Sequence, residues 1–161
     1  MKTTLNAIKA ADFNPRDLWK LMQYVGKLAP DDDPISIITI LESNGLQDAL
    51  VCVDIVEGHE REKRLHVLWC ARTYRELVPE KEGANLVHAA EQYVRGLVTR
   101  EQLFHAWALA VNAECAEALA RNATDAWVDA RIAYQARSAA ELRRLCECID
   151  AGIDPYPEPT P

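Results

Sequence analysis

His66 and Cys70, four residues apart on one expected helix, are the only pair in this chain whose types and spacing point to covalent chemistry. Residues at that interval share a helix face. An imidazole beside a thiol can lower the thiol pKa and ready it for attack. Packing accounts for the pair better, because both residues fall in an apolar run, Leu65-His66-Val67-Leu68-Trp69-Cys70-Ala71. No catalytic residue is therefore assigned, and the chain is expected not to be an enzyme. With Cys52 or His59 the same pair could ligate a metal, but structural zinc sites present Cys-x-x-Cys on a tight turn and none occurs. The reading is no metal and no cofactor. His88 and His105 stand alone among apolar neighbours and are expected to be satisfied, partly buried histidines. There is no Gly-x-Ser-x-Gly elbow and no phosphate-binding glycine loop. The glycines at 26, 45, 58, 83, 96 and 152 all fall at expected helix ends.

Acidic residues are the other candidates. Asp31, Asp32 and Asp33 are consecutive, so they cannot converge on one ion, and the spaced oxygens of a calcium loop are missing. They read as a solvated loop, with Asp33-Pro34 capping the next helix. The net charge of −7 is unevenly spread: residues 1–60 and 101–161 are acidic, and residues 61–100 are basic. That layout does not suit direct binding to DNA or RNA, which needs a basic surface to displace counterions. It suits a basic protein partner, including a nucleic-acid-binding one. Asp31, Asp32 and Asp33, with Glu57 and Glu60 beside Gly58, are the candidate partner-binding residues. The run Glu60-Arg61-Glu62-Lys63-Arg64 alternates in sign and reads as a salt-bridged surface. Trp19, Trp69, Trp107 and Trp127 lie on apolar helix faces and are expected in the core; a stacking platform would need them exposed in basic surroundings.

Hydrophobic residues make up 49% of the 161 residues, enough for a folded domain of this length. No stretch approaches the roughly 20 apolar residues that span a bilayer, and no secretory signal precedes Asp12. Five cysteines, an odd number, argue against a disulfide framework. Cys146 and Cys148, two apart on a helix, point in different directions. The expected compartment is the cytoplasm.

The elements that would carry these residues are helical throughout. Thr3 to Ala11 reads as a short helix with a threonine cap and with Leu5 and Ile8 on one side. Asn14-Pro15 is a cap followed by a first helical residue, and Gly26 ends that helix. Residues 35–41 are rich in β-branched side chains, yet no second strand is evident for them, so a short helix ending at Asn44-Gly45 is expected. A helix with Leu46, Leu50, Val53 and Val56 inside follows, then a long one over 59–77, a loop over 79–83 and a helix over 84–95. Thr99 with Gln102 forms a capping box. The remainder is an alanine-rich helical run, broken near Asn122 because one helix of that length would measure about 70 Å. Leu103, Trp107, Ala110, Val111 and Ala118 lie on its inner stripe, then Trp127, Ala130, Tyr134, Leu142, Leu145 and Ile149. The fold class is all-α, a compact antiparallel array of about seven or eight helices. Residues 1–152 form one domain, and 153–161 a polyproline-like tail.

These stretches give the chain a resemblance. It resembles an uncharacterised bacteriophage and prophage family of Ala/Trp-rich helical proteins. The likeness rests on residues 4–8, the acidic loop at 31–34, Leu-Glu-Ser-Asn-Gly-Leu-Gln-Asp-Ala-Leu at 41–50, the charged turn at 59–64, Trp-Cys-Ala-Arg at 69–72, the helices over 106–140 and Asp-Pro-Tyr-Pro at 154–157. The later helices are also similar to immunity-like helical domains found near bacterial toxins. The chain departs from the family at Val51, where relatives carry tryptophan, and in a shorter alanine-rich array. The family supplies no catalytic residues to carry over. The resemblance implies a phage accessory protein in the host cytoplasm. The function expected is a non-enzymatic protein-binding module that occludes or sequesters a host protein, such as a CRISPR effector complex. The alternatives are a self-assembling accessory protein with tryptophan faces as its interface, and a small helical enzyme centred on His66 and Cys70.

Overall fold

The computed structural model describes residues 1–120 and 124–157. Eight α-helices and one two-stranded antiparallel pair occur among them, so the chain is all-α in class. The expected cap at Asn122 and the last four residues of the tail lie outside the described residues. The chain divides into two compact units, one built from Met1–His59 with the residues from Ala139 on, the other from Glu60–Ser138.

In the first unit, β1 (Lys2–Thr3) leads into α1 (Leu5–Ala10), whose start is fixed by Thr4 Oγ1 accepting from the Ala7 N–H at 3.1 Å. Asn14 caps α2 (Pro15–Tyr24) in the same way, accepting from the Arg16 N–H at 2.9 Å. Leu18, Leu21 and Met22 form the buried face of α2, at the i, i+3, i+4 spacing that an amphipathic helix requires.

The segment expected to be one helix from Pro34 divides instead. Ile35–Ser36 is a strand, β2, with Lys2 opposite Ser36 and Thr3 opposite Ile35. Its partner was not visible as a strand, because two residues show no alternation to read. The Ile37 N–H continues the pairing to the Met1 carbonyl at 3.1 Å. Ser36, not Asp33, is the cap of α3 (Ile37–Asn44), its Oγ accepting from the Thr39 N–H at 3.0 Å. The Asn44-Gly45 turn into α4 (Leu46–Ile55) is as expected. On α4 the fully buried positions are Ala49 and Cys52; Val53 and Val56 are buried beside them, while Leu46 and Leu50 are only half-buried. Against Leu5, Ile8, Leu21, Ile37, Ile40 and Cys52 pack Leu142, Leu145 and Cys146 from the C-terminal part of α8 (Thr124–Asp150), all without solvent exposure. The tail returns to this unit. Arg144 donates twice to the Pro155 carbonyl at 3.1 Å, its guanidinium lies over the Tyr156 ring, and the Tyr156 hydroxyl donates to Glu141 at 2.8 Å.

In the second unit, α5 (Glu60–Tyr74) ends in a 3-10 turn over Arg75–Leu77, and α6 (Glu80–Val94) begins four residues earlier than the sequence suggests. Gly83 is thus inside α6, not at its end. Its reason is space: a Cβ there would sit 3.2 Å from the Arg75 carbonyl oxygen and 3.0 Å from Val78 Cγ2. The Thr99–Gln102 capping box forms in both directions and opens α7 (Arg100–Ala120). Leu68, Ala71, Tyr74, Leu86, Ala90, Leu103, Ala110 and Tyr134 make its core, the last from the N-terminal part of α8.

Gly45 has φ +98 and ψ −179, a conformation populated essentially by glycine alone, and it must hold there to turn α3 into α4. Gly45→Ala has open space around the added methyl, so backbone strain alone is tested. Urea unfolding should show a loss of about 1–3 kcal/mol; an unchanged midpoint would refute the assigned turn.

Candidate functional site

The acidic loop is built around one lysine. Lys27 Nζ donates to both carboxylate oxygens of Asp31, at 2.6 and 2.7 Å, and to Asp33 at 2.8 Å. The Asp33 N–H donates to Asp31 Oδ1, the Asn6 N–H to the Asp31 carbonyl, and the Asn6 amide to Asp32 at 3.0 Å. The hydrogen bond from Lys27 holds the Asp31 carboxyl below the usual carboxylate range. Asp31 and Asp33 raise the Lys27 ammonium above its ordinary value in return. Two of the three aspartates therefore spend part of their charge within the chain. Asp32 has no ion pair among the described residues, and Asp33 stays 78% exposed. Glu57 is exposed beside the Gly58–His59 turn, where both residues have positive φ. Glu60 is paired with Lys63 one turn along α5, which lowers its pKa. The five candidate acids thus form one braced trio, with Glu57 and Glu60 at separate points of the chain.

His66 and Cys70 do touch, with Nε2 and Sγ 3.6 Å apart, and both are buried, at 2% and 7% exposure. Burial pushes the pKa of Tyr134, on α8, up. Nucleophilic attack needs access for a substrate as well as a base, and this thiol lies under α8. Among the described residues no group of three or more His, Cys, Asp or Glu gathers as metal ligands would. His88 and His105, expected to be partly buried, are exposed: each falls on the arc of its helix opposite the buried positions, Leu86 and Ala90 on α6 and Leu103 and Ala110 on α7. A groove of about 410 Å³ between Leu41, Leu46, Ala139 and Ala140 is rimmed by Arg143 and Arg144. Arg143 is held by Glu42 and Arg144 by Glu141, so neither is left to seize an anion.

A larger polar cluster escaped the sequence reading. Glu114 on α7 is 2% exposed, and its Oε2 accepts from the Tyr74 hydroxyl of α5 and from Arg131 of α8, the latter at 3.0 Å. Arg131 also donates to the Tyr74 oxygen at 2.8 Å. Trp107 stacks on Tyr74 and Tyr134 meets it edge-on, each with centroids 5.0 Å apart, and the guanidinium lies over Trp127. Burial first, then the Glu114 bond, raises the Tyr74 pKa. One signal was available: Glu114 falls on the inner stripe that runs Leu103, Trp107, Ala110, Val111 and Ala118. An acid at such a position requires a partner. The residues that supply it are 40 and 17 positions away, and nothing local identifies them.

Comparison with family models, curated proteins and solved structures returns no match. The site therefore rests on its own geometry.

Two predictions follow from this chemistry. Removing one partner of a buried ion pair costs about 3–5 kcal/mol, less where the partner keeps some solvent. Arg131, 31% exposed in its side chain, should give a loss of roughly 2–4 kcal/mol in Arg131→Met. Glu114→Gln in the same chain should recover much of it, since no buried charge is then orphaned. A double-mutant cycle by urea unfolding reads this directly, and additive losses would contradict it.

The second concerns alkaline pH. Burial pushes the Cys52 thiol from 9.0 to about 12 and the Cys146 thiol to about 11, and raises Tyr74 and Tyr134 as well. The folded state then holds more protons than the unfolded one above about pH 9, so stability is full below that pH and falls as it rises. The urea midpoint should drop steadily between about pH 9 and pH 11, and a flat profile would contradict these shifts.

Proposed function

We propose that this chain is a non-enzymatic protein-binding module that occludes or sequesters a host protein. Its concrete form is a bacteriophage-encoded inhibitor of a bacterial defence system, such as a CRISPR effector complex, acting in the host cytoplasm. The observation that carries this reading is the aspartate loop. Asp32 and Asp33 are exposed and Asp31 is half-buried, and the loop is held by Lys27 on the Asp31 and Asp33 carboxylates, by the Asn6 N–H on the Asp31 carbonyl and by an internal turn, so little order has to be gained on binding. Fixed, outward carboxylates steer and orient a basic surface, as a nucleic-acid-binding protein presents. The phage-family resemblance supports the same reading. So does the burial of His66, Cys70 and Glu114, the groups best suited to chemistry.

Asp32 and Glu57 have no ion pair within the chain among the described residues, so their charge is the most available to a partner. Tagged protein incubated in bacterial lysate should retain one stoichiometric protein at low salt and release it at high salt. Asp32→Lys with Glu57→Lys should reduce that recovery about tenfold, mainly through slower association. Undiminished recovery by the charge-reversed protein would remove the electrostatic reading. Asp31→Lys, by contrast, should also loosen the loop, because it deprives Lys27 of its bidentate partner.

A further inference from the structure

Residues 154–157 lie on α8 as a peptide lies in a recognition site, and one arginine does most of the holding. Glu141, Arg144 and Cys148 stand at i, i+3 and i+7, so they share one face of the helix. Arg144 Nε and a terminal nitrogen donate to the two carboxylate oxygens of Glu141, at 2.8 and 2.7 Å, the fork that a guanidinium and a carboxylate favour. Its other N–H groups reach the Pro155 carbonyl twice, at 3.1 Å, and Cys148 Sγ at 3.9 Å. A guanidinium has five N–H donors, so with Pro155 in place each has an acceptor. Pro155 is buried, and the centroid of the Tyr156 ring lies 5.2 Å from the guanidinium carbon. The Tyr156 hydroxyl donates to Glu141 Oε1 at 2.8 Å, and its N–H to the Asp154 carboxylate at 2.9 Å.

Each contact reads a chemical feature of the peptide. Proline has its φ fixed at about −65°, so its carbonyl is presented at little cost in order. Stacking on the guanidinium requires an aromatic ring. The Glu141 side chain is 10% exposed and requires a donor, which tyrosine has and phenylalanine lacks. A phosphotyrosine would set its own charge against that carboxylate.

The occupant is also exchangeable. The Gly152 N–H donates to the Ile149 carbonyl at 3.1 Å and the Ile153 N–H to the Cys148 carbonyl at 2.8 Å, which completes the end of α8. Residues 154–157 can therefore leave without unwinding it. The Arg144 side chain is 44% exposed, so water can take over the bonds that Pro155 gives up. Arg144 also lines the groove of about 410 Å³ beside Leu41, Leu46, Ala139 and Ala140, and residues 154–157 take no part in that lining. A side chain flanking the Pro-Tyr of an incoming peptide has this apolar space to enter.

We propose that Glu141 and Arg144 form a recognition site for an extended Pro-Tyr peptide. Pro155 and Tyr156 are its resident ligand, and a Pro-Tyr segment of a partner protein is the competitor that displaces them. The site lies wholly within the first unit and does not use the aspartate loop, so it stands or falls separately from the electrostatic reading above.

An NMR titration of the nitrogen-15-labelled full chain tests it, with the synthetic peptide Ile-Asp-Pro-Tyr-Pro, blocked at both ends, as the probe. Pro155→Gly with Tyr156→Ala vacates the site. That variant should bind the peptide at least tenfold more tightly than the wild type, whose tethered tail competes at an effective concentration in the millimolar range. Shifts should centre on residues 141–148. In the wild type, excess peptide should move the amides of residues 154–157 toward random-coil positions. A peptide with phenylalanine for tyrosine should bind about tenfold more weakly, and the phosphotyrosine peptide should not bind. Arg144→Met added to the vacated variant should abolish binding, with circular dichroism and a urea midpoint showing that it folds. The altered peptides test the same contacts with the protein unchanged. No binding to the vacated variant at millimolar peptide overturns the proposal. So do equal affinities of the wild type and the vacated variant, shifts centred elsewhere, or a phosphotyrosine peptide that binds as well as the tyrosine one.

Discussion

A carboxylate without solvent is the constraint on which the second unit turns. Glu114 sits in the middle of a helix otherwise lined with alanine, leucine and tryptophan, and ionised it would be untenable there alone. Tyr74 and Arg131 make it tenable, and in doing so they fix the register of α5 and α8 against α7. A purely apolar stripe could slide by one turn at modest loss. A three-point hydrogen-bonded contact cannot, because the guanidinium must reach the carboxylate and the phenol oxygen together. The rings of Trp107 and Tyr134 on either side keep water from competing for those bonds. Buried ion pairs add little net stability relative to a hydrophobic substitute. Their physical role here is to choose one arrangement of alanine-rich helices, whose small side chains discriminate poorly between neighbouring registers.

The first unit reaches the same end by other means. Its helices carry enough Ile and Leu to interlock by shape, and its ends are set by caps: Thr4, Asn14 and Ser36 each accept from an N–H two or three residues on. The pairing of Lys2–Thr3 with Ile35–Ser36 is short, but it ties the start of the chain to the start of α3. The polar loop between them is thereby held at both ends, and Lys27 then gathers Asp31 and Asp33. The order of the loop follows from elements flanking it, not from its own composition.

These features mark where sequence reasoning reaches its range. Asn14-Pro15, Asn44-Gly45 and Thr99–Gln102 are local chemistry within four residues, and each forms as read. The helical class and an array of about seven or eight helices follow from periodicity in the same way, and eight occur among the described residues. Ile35–Ser36 was misjudged because its partners lie 32 and 34 positions away on a strand only two residues long. Gly83 was misjudged because its reason is a neighbour's backbone, not its own φ. Trp19 was placed in the core on hydrophobicity alone, although it sits one position past Leu18, on the other side of the boundary between the helix faces. The sequence reading singled out the candidate acids without Lys27, which binds two of them and changes how much charge they can offer.

Burial and exposure together divide the chain's capabilities. His59, His88 and His105 stay exposed, but five groups able to exchange protons are packed inside the second unit, His66, Cys70, Tyr74, Glu114 and Tyr134, each at most 9% exposed. Reaching them would require parting helices whose register depends on those same bonds, so access and folding oppose one another. The residues left outside on α2 and its exit are of the kinds that recognise surfaces: the rings of Trp19 and Tyr24, Leu28, the cations Arg16 and Lys20, and the carboxylates of Asp32 and Asp33.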